Sequence, residues 1–168
     1  MTRLSIAVRP SQAVVERIAA LPRPPHPGLH WSEPERWIVK LRPLGHVPEN
    51  LVDPLADALG AALDGAPAPE CVLGPATVRG SGQWLYAPVD GLAELSDEVF
   101  AATEHLVPVT HPQPFRGFLV LATGRVPVEV GGQPLDGTWR PDEVALVADR
   151  SAPGTPRLVD LVTLPLGP

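Results

Sequence analysis

The chain has one lysine, Lys40, and its position is the first feature that could do chemistry. It lies in the middle of residues 36–44, which are rich in strand-forming side chains. In a regular strand, alternation puts Ile38, Lys40 and Arg42 on one face. Because ammonium and guanidinium groups bind phosphates and carboxylates, this face predicts a contact with an anion.

A strongly apolar segment, residues 117–122, could form the opposite side of such a site. The same alternation puts Phe118, Val120 and Ala122 on one face, with Arg116 in phase. Phe118 would contact a ring or hydrocarbon chain of the ligand. If the fold brings these two faces together, Lys40, Arg42, Arg116 and Phe118 form one ligand site.

Other reactive residue types form weaker patterns. The one His-x-Ser sequence, His30-Trp31-Ser32, lies in a proline-rich stretch, and we interpret this match as chance. His46 and His111 lie in or beside turns and are interpreted as exposed loop residues. Cys71 has neither a second cysteine nor a histidine at a metal-ligand spacing, so no disulfide, metal or cofactor is predicted.

Length and charge limit the class of protein. The 168 residues suffice for one compact domain, and we expect residues 1–168 to form a single, monomeric folding unit. The net charge of −6 argues against binding of long nucleic acid, which needs a basic surface. Because no apolar run approaches the roughly 20 residues that span a bilayer and no signal-peptide pattern is visible, we expect no membrane segment and a cytoplasmic protein.

Hydrophobic periodicity predicts alternating strands and helices. Leu4, Ile6 and Val8 alternate as in a half-buried strand, and Ser11 is a candidate N-cap for a helix that ends near Leu21. Leucines at four-residue spacing predict a helix from 48 to 63. Further predictions are loops at 22–35 and 108–114, strands at 36–44, 70–79, 83–89, 117–122, 140–149 and 157–165, and a helix across 91–106.

The order of these elements and several short sequences resemble the 2'-5' RNA ligase (LigT-like) group of the 2H phosphoesterase superfamily. The resemblance covers nearly the whole chain, and it implies an α+β fold with two pseudo-symmetric lobes of antiparallel sheet and flanking helices around a central cleft. The residues that carry it are the first strand Arg3–Val8, Trp31, Leu41-Arg42-Pro43-Leu44-Gly45, the strand ending near Tyr86, Pro114-Phe115-Arg116 and Trp139-Arg140-Pro141-Asp142-Glu143-Val144.

The resemblance also implies that the chemistry of this group has been lost. Its members carry a His-x-Thr or His-x-Ser motif on each of two facing strands, and these motifs fall on Ile38-Val39-Lys40 and Phe118-Leu119-Val120. Neither segment keeps the histidine or the hydroxyl. Loss of both acid/base groups would cost about 10⁴ to 10⁸ in rate. We therefore expect no phosphodiesterase or ligase activity, and a cleft that binds a small phosphorylated or nucleotide-like ligand.

Three other outcomes stay open at the level of sequence. Lys40 among apolar side chains would lose hydration, so a lowered pKa could make it a base or Schiff-base nucleophile in a repurposed enzyme. The proline-rich loops 22–35 and 107–115 could instead form the contact surface of a protein-interaction module, because stiff loops lose little entropy on binding. Alternatively, the cleft is filled in, and Lys40 contacts a neighbouring carboxylate or water.

Overall fold

Ten strands and three α-helices make up the fold, and a computed structural model describes all residues from 1 to 168. Three short 3₁₀ turns cover Pro34–Arg36, Glu49–Leu51 and Val128–Val130. Numbered in chain order, the elements are β1 (Thr2–Val8), α1 (Gln12–Ala19), β2 (Leu29–Trp31), β3 (Val39–Val47), α2 (Val52–Leu63), β4 (Cys71–Leu73), β5 (Val78–Gly80), β6 (Trp84–Asp90), α3 (Ala93–Thr103), β7 (Phe118–Gly124), β8 (Gly137–Trp139), β9 (Glu143–Asp149) and β10 (Leu158–Pro165).

The strands form two antiparallel sheets. The first sheet has the order β10-β9-β1-β3, and the second has the order β2-β7-β6-β4-β8, with β5 also paired to β6. Both ends of the sequence contribute to the first sheet, because β9 and β10 return to β1 after the second sheet has been formed. The two lobes are therefore interleaved along the chain and do not follow one another.

A continuous hydrophobic core of 33 buried residues connects the sheets and helices. Helix α2 contributes Leu55, Leu59 and Leu63, at the four-residue spacing that predicted this helix. Helix α3 adds Leu95 and Val99. None of the helices is long and apolar enough to cross a membrane. The architecture is the α+β arrangement of two sheets and flanking helices that the resemblance implies.

Local predictions are confirmed in part. The predicted N-cap of α1 is present, since the backbone N–H of Val14 donates to the Ser11 hydroxyl at 3.3 Å. The predicted strand at 70–79 is wrong, because the backbone turns at Gly74 and divides it into β4 and β5. Gly74 has a φ of +97°, and a Cβ there would lie 1.8 Å from the carbonyl oxygen of Leu135. The predicted loop 22–35 also contains the short edge strand β2.

Candidate functional site: a cleft between the two sheets

The two sheets face each other across an open cleft of about 1420 Å³. One wall comes from β1, β3 and the connection between β9 and β10, and the other from β5, β6 and β7. Ile38 and Lys40 line the first wall, while Phe118 and Val120 line the second. The four positions predicted to replace the catalytic motifs thus lie in one cleft.

Strand β3 has two β-bulges, at Leu41 and at Leu44, and the first decides whether Arg42 reaches this cleft, while the second returns His46 to the face of Lys40. Lys40 pairs with Ala7 of β1, and Arg42 pairs with the preceding residue, Ile6, so that Leu41 has no partner. An extra residue in one strand reverses the alternation of the side chains that follow it. Lys40 therefore points into the cleft, where its side chain is only partly exposed, whereas Arg42 points to the opposite side of the sheet and does not line the cleft.

The prediction that Arg42 shares the face of Lys40 is wrong. Arg42 is 3% exposed, and its guanidinium donates to the Thr103 hydroxyl at 2.7 Å and to the backbone carbonyl of Val107. It also lies 5.0 Å from the ring centroid of Phe100. Burial lowers the pKa of this guanidinium, and the charge of Glu104 opposes the shift. Arg42 thus attaches β3 to the C-terminal end of α3, where the helix dipole favours a cation.

Strand β7 has a bulge at the equivalent place. Val120 pairs with Tyr86 of β6, and Ala122 pairs with Leu85, so that Leu121 has no partner. As at Leu41 of β3, the bulge follows directly after the third position of the predicted motif segment. It turns Ala122 into the core, contrary to the predicted alternation, and Thr123 lines the cleft instead. The bulge after Lys40 and the bulge after Val120 thus have the same effect on the side chains that follow them in the two strands.

The first wall carries a cluster of charges at one end of the cleft. Arg36 contacts Asp149 at 3.6 Å and donates to the Ser151 hydroxyl at 2.8 Å. Burial lowers the pKa of Lys40, and the charge of Arg3 lowers it further, while Asp149 opposes the shift. Burial alone would raise the pKa of Asp149, but hydrogen bonds from Ser151 and the charge of Arg36 outweigh it and lower this pKa. Three cations, Arg3, Arg36 and Lys40, therefore interact electrostatically with the single carboxylate of Asp149.

The second wall is aromatic and apolar. Trp84 is 48% exposed and Phe118 is 41% exposed, which is unusual for large apolar side chains. Tyr86 lies between them on this face, with its ring centroid 5.5 Å from that of Phe118. Val78 of β5 extends the same surface. An exposed apolar patch with polar residues at its border is typical of a binding site.

Residues 33–37, here called the strap, lie between β2 and β3 and help to position Arg36. The carboxylate of Glu35 accepts a hydrogen bond from the Leu158 backbone N–H at 3.0 Å, which ties the strap to β10. Arg9 forms an ion pair with Asp160 at 2.6 Å and donates to the Glu35 carbonyl at 3.4 Å. These bonds hold the strap against the first sheet immediately before Ile38.

Two of the three histidines considered above, His30 and His46, lie in strands and not in loops. His30 belongs to β2, where it pairs with Thr123, and it lines the cleft, so the interpretation of His30-Trp31-Ser32 as loop is wrong. His46 belongs to β3 and lines a smaller neighbouring pocket, so its interpretation as a loop residue is wrong, whereas His111 is exposed outside the cleft as predicted. His30 is thus the one histidine in the cleft lining, and no pair of imidazoles faces across it.

Other predicted and unpredicted residues can also be placed. Arg116 lines the cleft as predicted, next to Phe118. No group of three or more His, Cys, Asp or Glu side chains could hold a metal ion. Burial raises the pKa of Cys71 to about 12, which makes this thiol unreactive.

Some residues of the cleft were not predicted from the sequence, because only the tertiary structure brings them there. They are Arg3, Arg36, Asp149, Trp84 and Tyr86.

No protein-family model matches the sequence, and no curated protein matches it. Among solved structures, Escherichia coli LigT complexed with 3'-AMP is similar with a TM-score of 0.82 and 20% identity over 99% of both chains. A protein of Thermus thermophilus has a TM-score of 0.76 and 24% identity, over 98% of this chain and 97% of that one. A further structure described as a phosphoesterase has a TM-score of 0.80 and 21% identity, over 99% of both chains. The chain therefore has the LigT-like fold.

Proposed function

We propose that this protein is a degenerate relative of the 2'-5' RNA ligases and cyclic phosphodiesterases, and that its cleft binds a small phosphorylated or nucleotide-like ligand without reacting with it. The observation that carries the proposal is the pair of matched bulges. They support the assignment of Ile38, Lys40, Phe118 and Val120 to the motif positions, and none of these residues supplies an imidazole or a hydroxyl.

The missing groups would prevent the reaction. Hydrolysis of a phosphodiester needs a base that removes a proton from the attacking oxygen and an acid that protonates the leaving oxygen. His30 is the one histidine that lines the cleft, and it comes from the edge strand β2 and from neither motif strand. One imidazole cannot act as base and acid on opposite sides of the phosphorus in one step.

The two walls nevertheless suit the two parts of a nucleotide. Lys40, Arg3 and Arg36 offer ammonium and guanidinium donors for a phosphate. Phe118 and Trp84 offer exposed rings on which a base can stack. Structures of E. coli LigT have been determined with 3'-AMP, ATP, NADP+ and phosphate, so the same fold accommodates such ligands.

A titration with adenosine 5'-monophosphate tests the proposal. We expect saturable binding, a change in tryptophan fluorescence because Trp84 lines the cleft, and a loss of about tenfold or more in affinity in Lys40→Ala. The matched control is Arg157→Ala, which removes one exposed cation outside the cleft. Equal affinity in the wild type and Lys40→Ala, or no saturable binding at all, would contradict the proposal.

An activity measurement tests the other half of the proposal. The wild type should not hydrolyse adenosine 2',3'-cyclic phosphate above the rate of a buffer blank, because the acid and base are absent. Turnover that disappears in His30→Ala would show that His30, the histidine that lines the cleft, is catalytic and that the protein is an enzyme.

A second function is favoured by the position of Lys40 in the cleft lining, next to the apolar Ile38, together with its lowered pKa. A less basic amine is more often unprotonated at neutral pH, so it could form a Schiff base with a carbonyl substrate. Reduction with borohydride in the presence of pyruvate or glyceraldehyde would then attach the substrate to Lys40, which mass spectrometry of the peptide detects. Under the first proposal no such adduct forms.

A further inference from the structure

A smaller pocket of about 550 Å³ opens beside the cleft, and the proposed function does not use it. Arg3, Arg36, Asp149 and Ser151 line both cavities, so the two are adjacent. His46 and Arg150 line the smaller cavity alone. We refer to this cavity as the outer pocket.

Strand pairing places the outer pocket on the same face of the first sheet as Lys40. Arg3 pairs with His46 on one side and with Asp149 on the other, so these three residues form one row across β3, β1 and β9. Ala7, the partner of Lys40, lies four residues further along β1, which is about 13 Å in a strand. The outer pocket and Lys40 are therefore at two ends of one strip of sheet.

The outer pocket has more cations than its one carboxylate can pair. Asp149 is already bound by Arg36 at 3.6 Å and by the Ser151 backbone N–H at 3.0 Å. Arg3 and Arg150 take part in none of the ion pairs of the protein. Unpaired cations held close together repel one another, and a bound anion would relieve this repulsion. The excess is local, because the whole chain has a net charge of −6.

We propose that the outer pocket is a second anion subsite, which takes a second phosphate of the ligand whose first phosphate lies beside Lys40. This inference rests on the proposed function of the cleft. Arg3 and Arg36 line both cavities, so they can contact both phosphates, while Arg150 and His46 contact the second one alone. The ligand class is then a nucleotide with two separate phosphate groups, such as a nucleoside 3',5'-bisphosphate. Its phosphates are closer together than the backbone positions of the two subsites, so the long side chains of Lys40, Arg3 and Arg150 must converge on them.

Calorimetric titration with three nucleotides tests the subsite: adenosine 3',5'-bisphosphate, adenosine 5'-monophosphate and 3'-AMP. We expect the wild type to bind the bisphosphate about tenfold or more tightly than either monophosphate, as one additional charge-assisted contact would give. Arg150→Ala and His46→Gln should each reduce this preference by about threefold or more and leave the affinity for the monophosphates unchanged. Arg157→Ala, on the same β9–β10 connection but outside both cavities, is the matched control.

The outcomes separate the two proposals. If the monophosphates bind in a Lys40-dependent manner but the bisphosphate has no advantage, the outer pocket is not a subsite and the function of the cleft stands. The same conclusion follows if the preference is equal in Arg150→Ala and Arg157→Ala. If none of the three nucleotides binds, both proposals are wrong. Circular dichroism of each variant checks that it is folded.

Discussion

In the protein without ligand, the surroundings of Lys40 stabilise its positive charge less well than water does. Burial and the charge of Arg3 lower its pKa below the ordinary value of 10.5, so protonation of Lys40 costs free energy in the folded state. The penalty is complete below the folded pKa, decreases as the pH rises through it and disappears only above the unfolded pKa. We predict that Lys40→Met increases the free energy of unfolding at pH 7 and that this gain becomes smaller as the pH approaches 10.5. Urea denaturation across this range measures it.

The same variant links stability to binding. Lys40→Met should be more stable than the wild type at neutral pH and yet bind adenosine 5'-monophosphate about tenfold less tightly or worse. A Lys40→Met protein that is less stable at pH 7 would mean that the ammonium is well satisfied by Asp149, as in a filled-in cleft. Arg157→Ala should change neither property.

The buried contacts of Arg42 with Thr103 and the Val107 carbonyl indicate that it stabilises the fold. Its replacement by alanine would leave the Val107 carbonyl without this donor and open a cavity beside Phe100. Since hydrogen bonds to charged groups contribute about 1.5 to 3 kcal/mol, we predict that Arg42→Ala lowers the free energy of unfolding by about 2 to 4 kcal/mol. Nucleotide affinity of the folded fraction should stay the same. A stable Arg42→Ala protein that no longer binds nucleotides would assign Arg42 to the ligand site after all.

At the scale of elements, the sequence predicts the strands well and their faces less well. Lys40 and Phe118 are correctly placed in the cleft because each precedes the first bulge of its strand. Arg42 and Ala122 follow the bulges, and strict alternation assigns them to the wrong face. The residues without a partner, Leu41 and Leu44 in β3 and Leu121 in β7, are ordinary leucines, so composition gives no sign of the bulges. Asp149 and Arg36 meet only because β9 returns to the first sheet, which local patterns do not reveal.

The strap, between β2 and β3, carries Arg36 to its place beside Asp149. Its hydrogen bond from the Leu158 backbone to Glu35 ties Arg36 to the first sheet. We predict that Glu35→Ala lowers the free energy of unfolding by about 1 kcal/mol. It should also weaken nucleotide binding by about threefold, because Arg36 is less well positioned. Glu35→Gln keeps an acceptor oxygen and is the matched control, with smaller effects in both urea denaturation and calorimetry. Equal effects in the two variants would contradict this role.

For the whole molecule, the interleaved lobes lead us to propose that residues 1–168 form one folding unit. The first sheet needs β9 and β10 from the end of the chain, and β9 buries Val144, Leu146 and Val147. Each of these contributes about 1.5 to 3 kcal/mol, so their loss would consume most of a typical stability of about 5–15 kcal/mol. We predict that a variant ending at Asp142 does not fold. The full chain should unfold in one urea transition, with coincident fluorescence and circular dichroism. Two separate transitions would indicate independent lobes.

The charge distribution of the whole molecule predicts which nucleic acids it can bind. The cleft lining carries Arg3, Arg36, Lys40 and Arg116 against three carboxylates, whereas the chain as a whole has a net charge of −6. A longer RNA would extend beyond the cleft over an acidic surface and gain no further phosphate contacts. We therefore predict that an RNA of about 20 nucleotides binds no more tightly than a 5'-phosphorylated dinucleotide. Fluorescence anisotropy at several salt concentrations should give a log–log slope that corresponds to about one or two phosphates for both ligands. A slope of about −5 or steeper for the longer RNA would contradict this prediction, because it would mean that basic residues outside the cleft also bind phosphates.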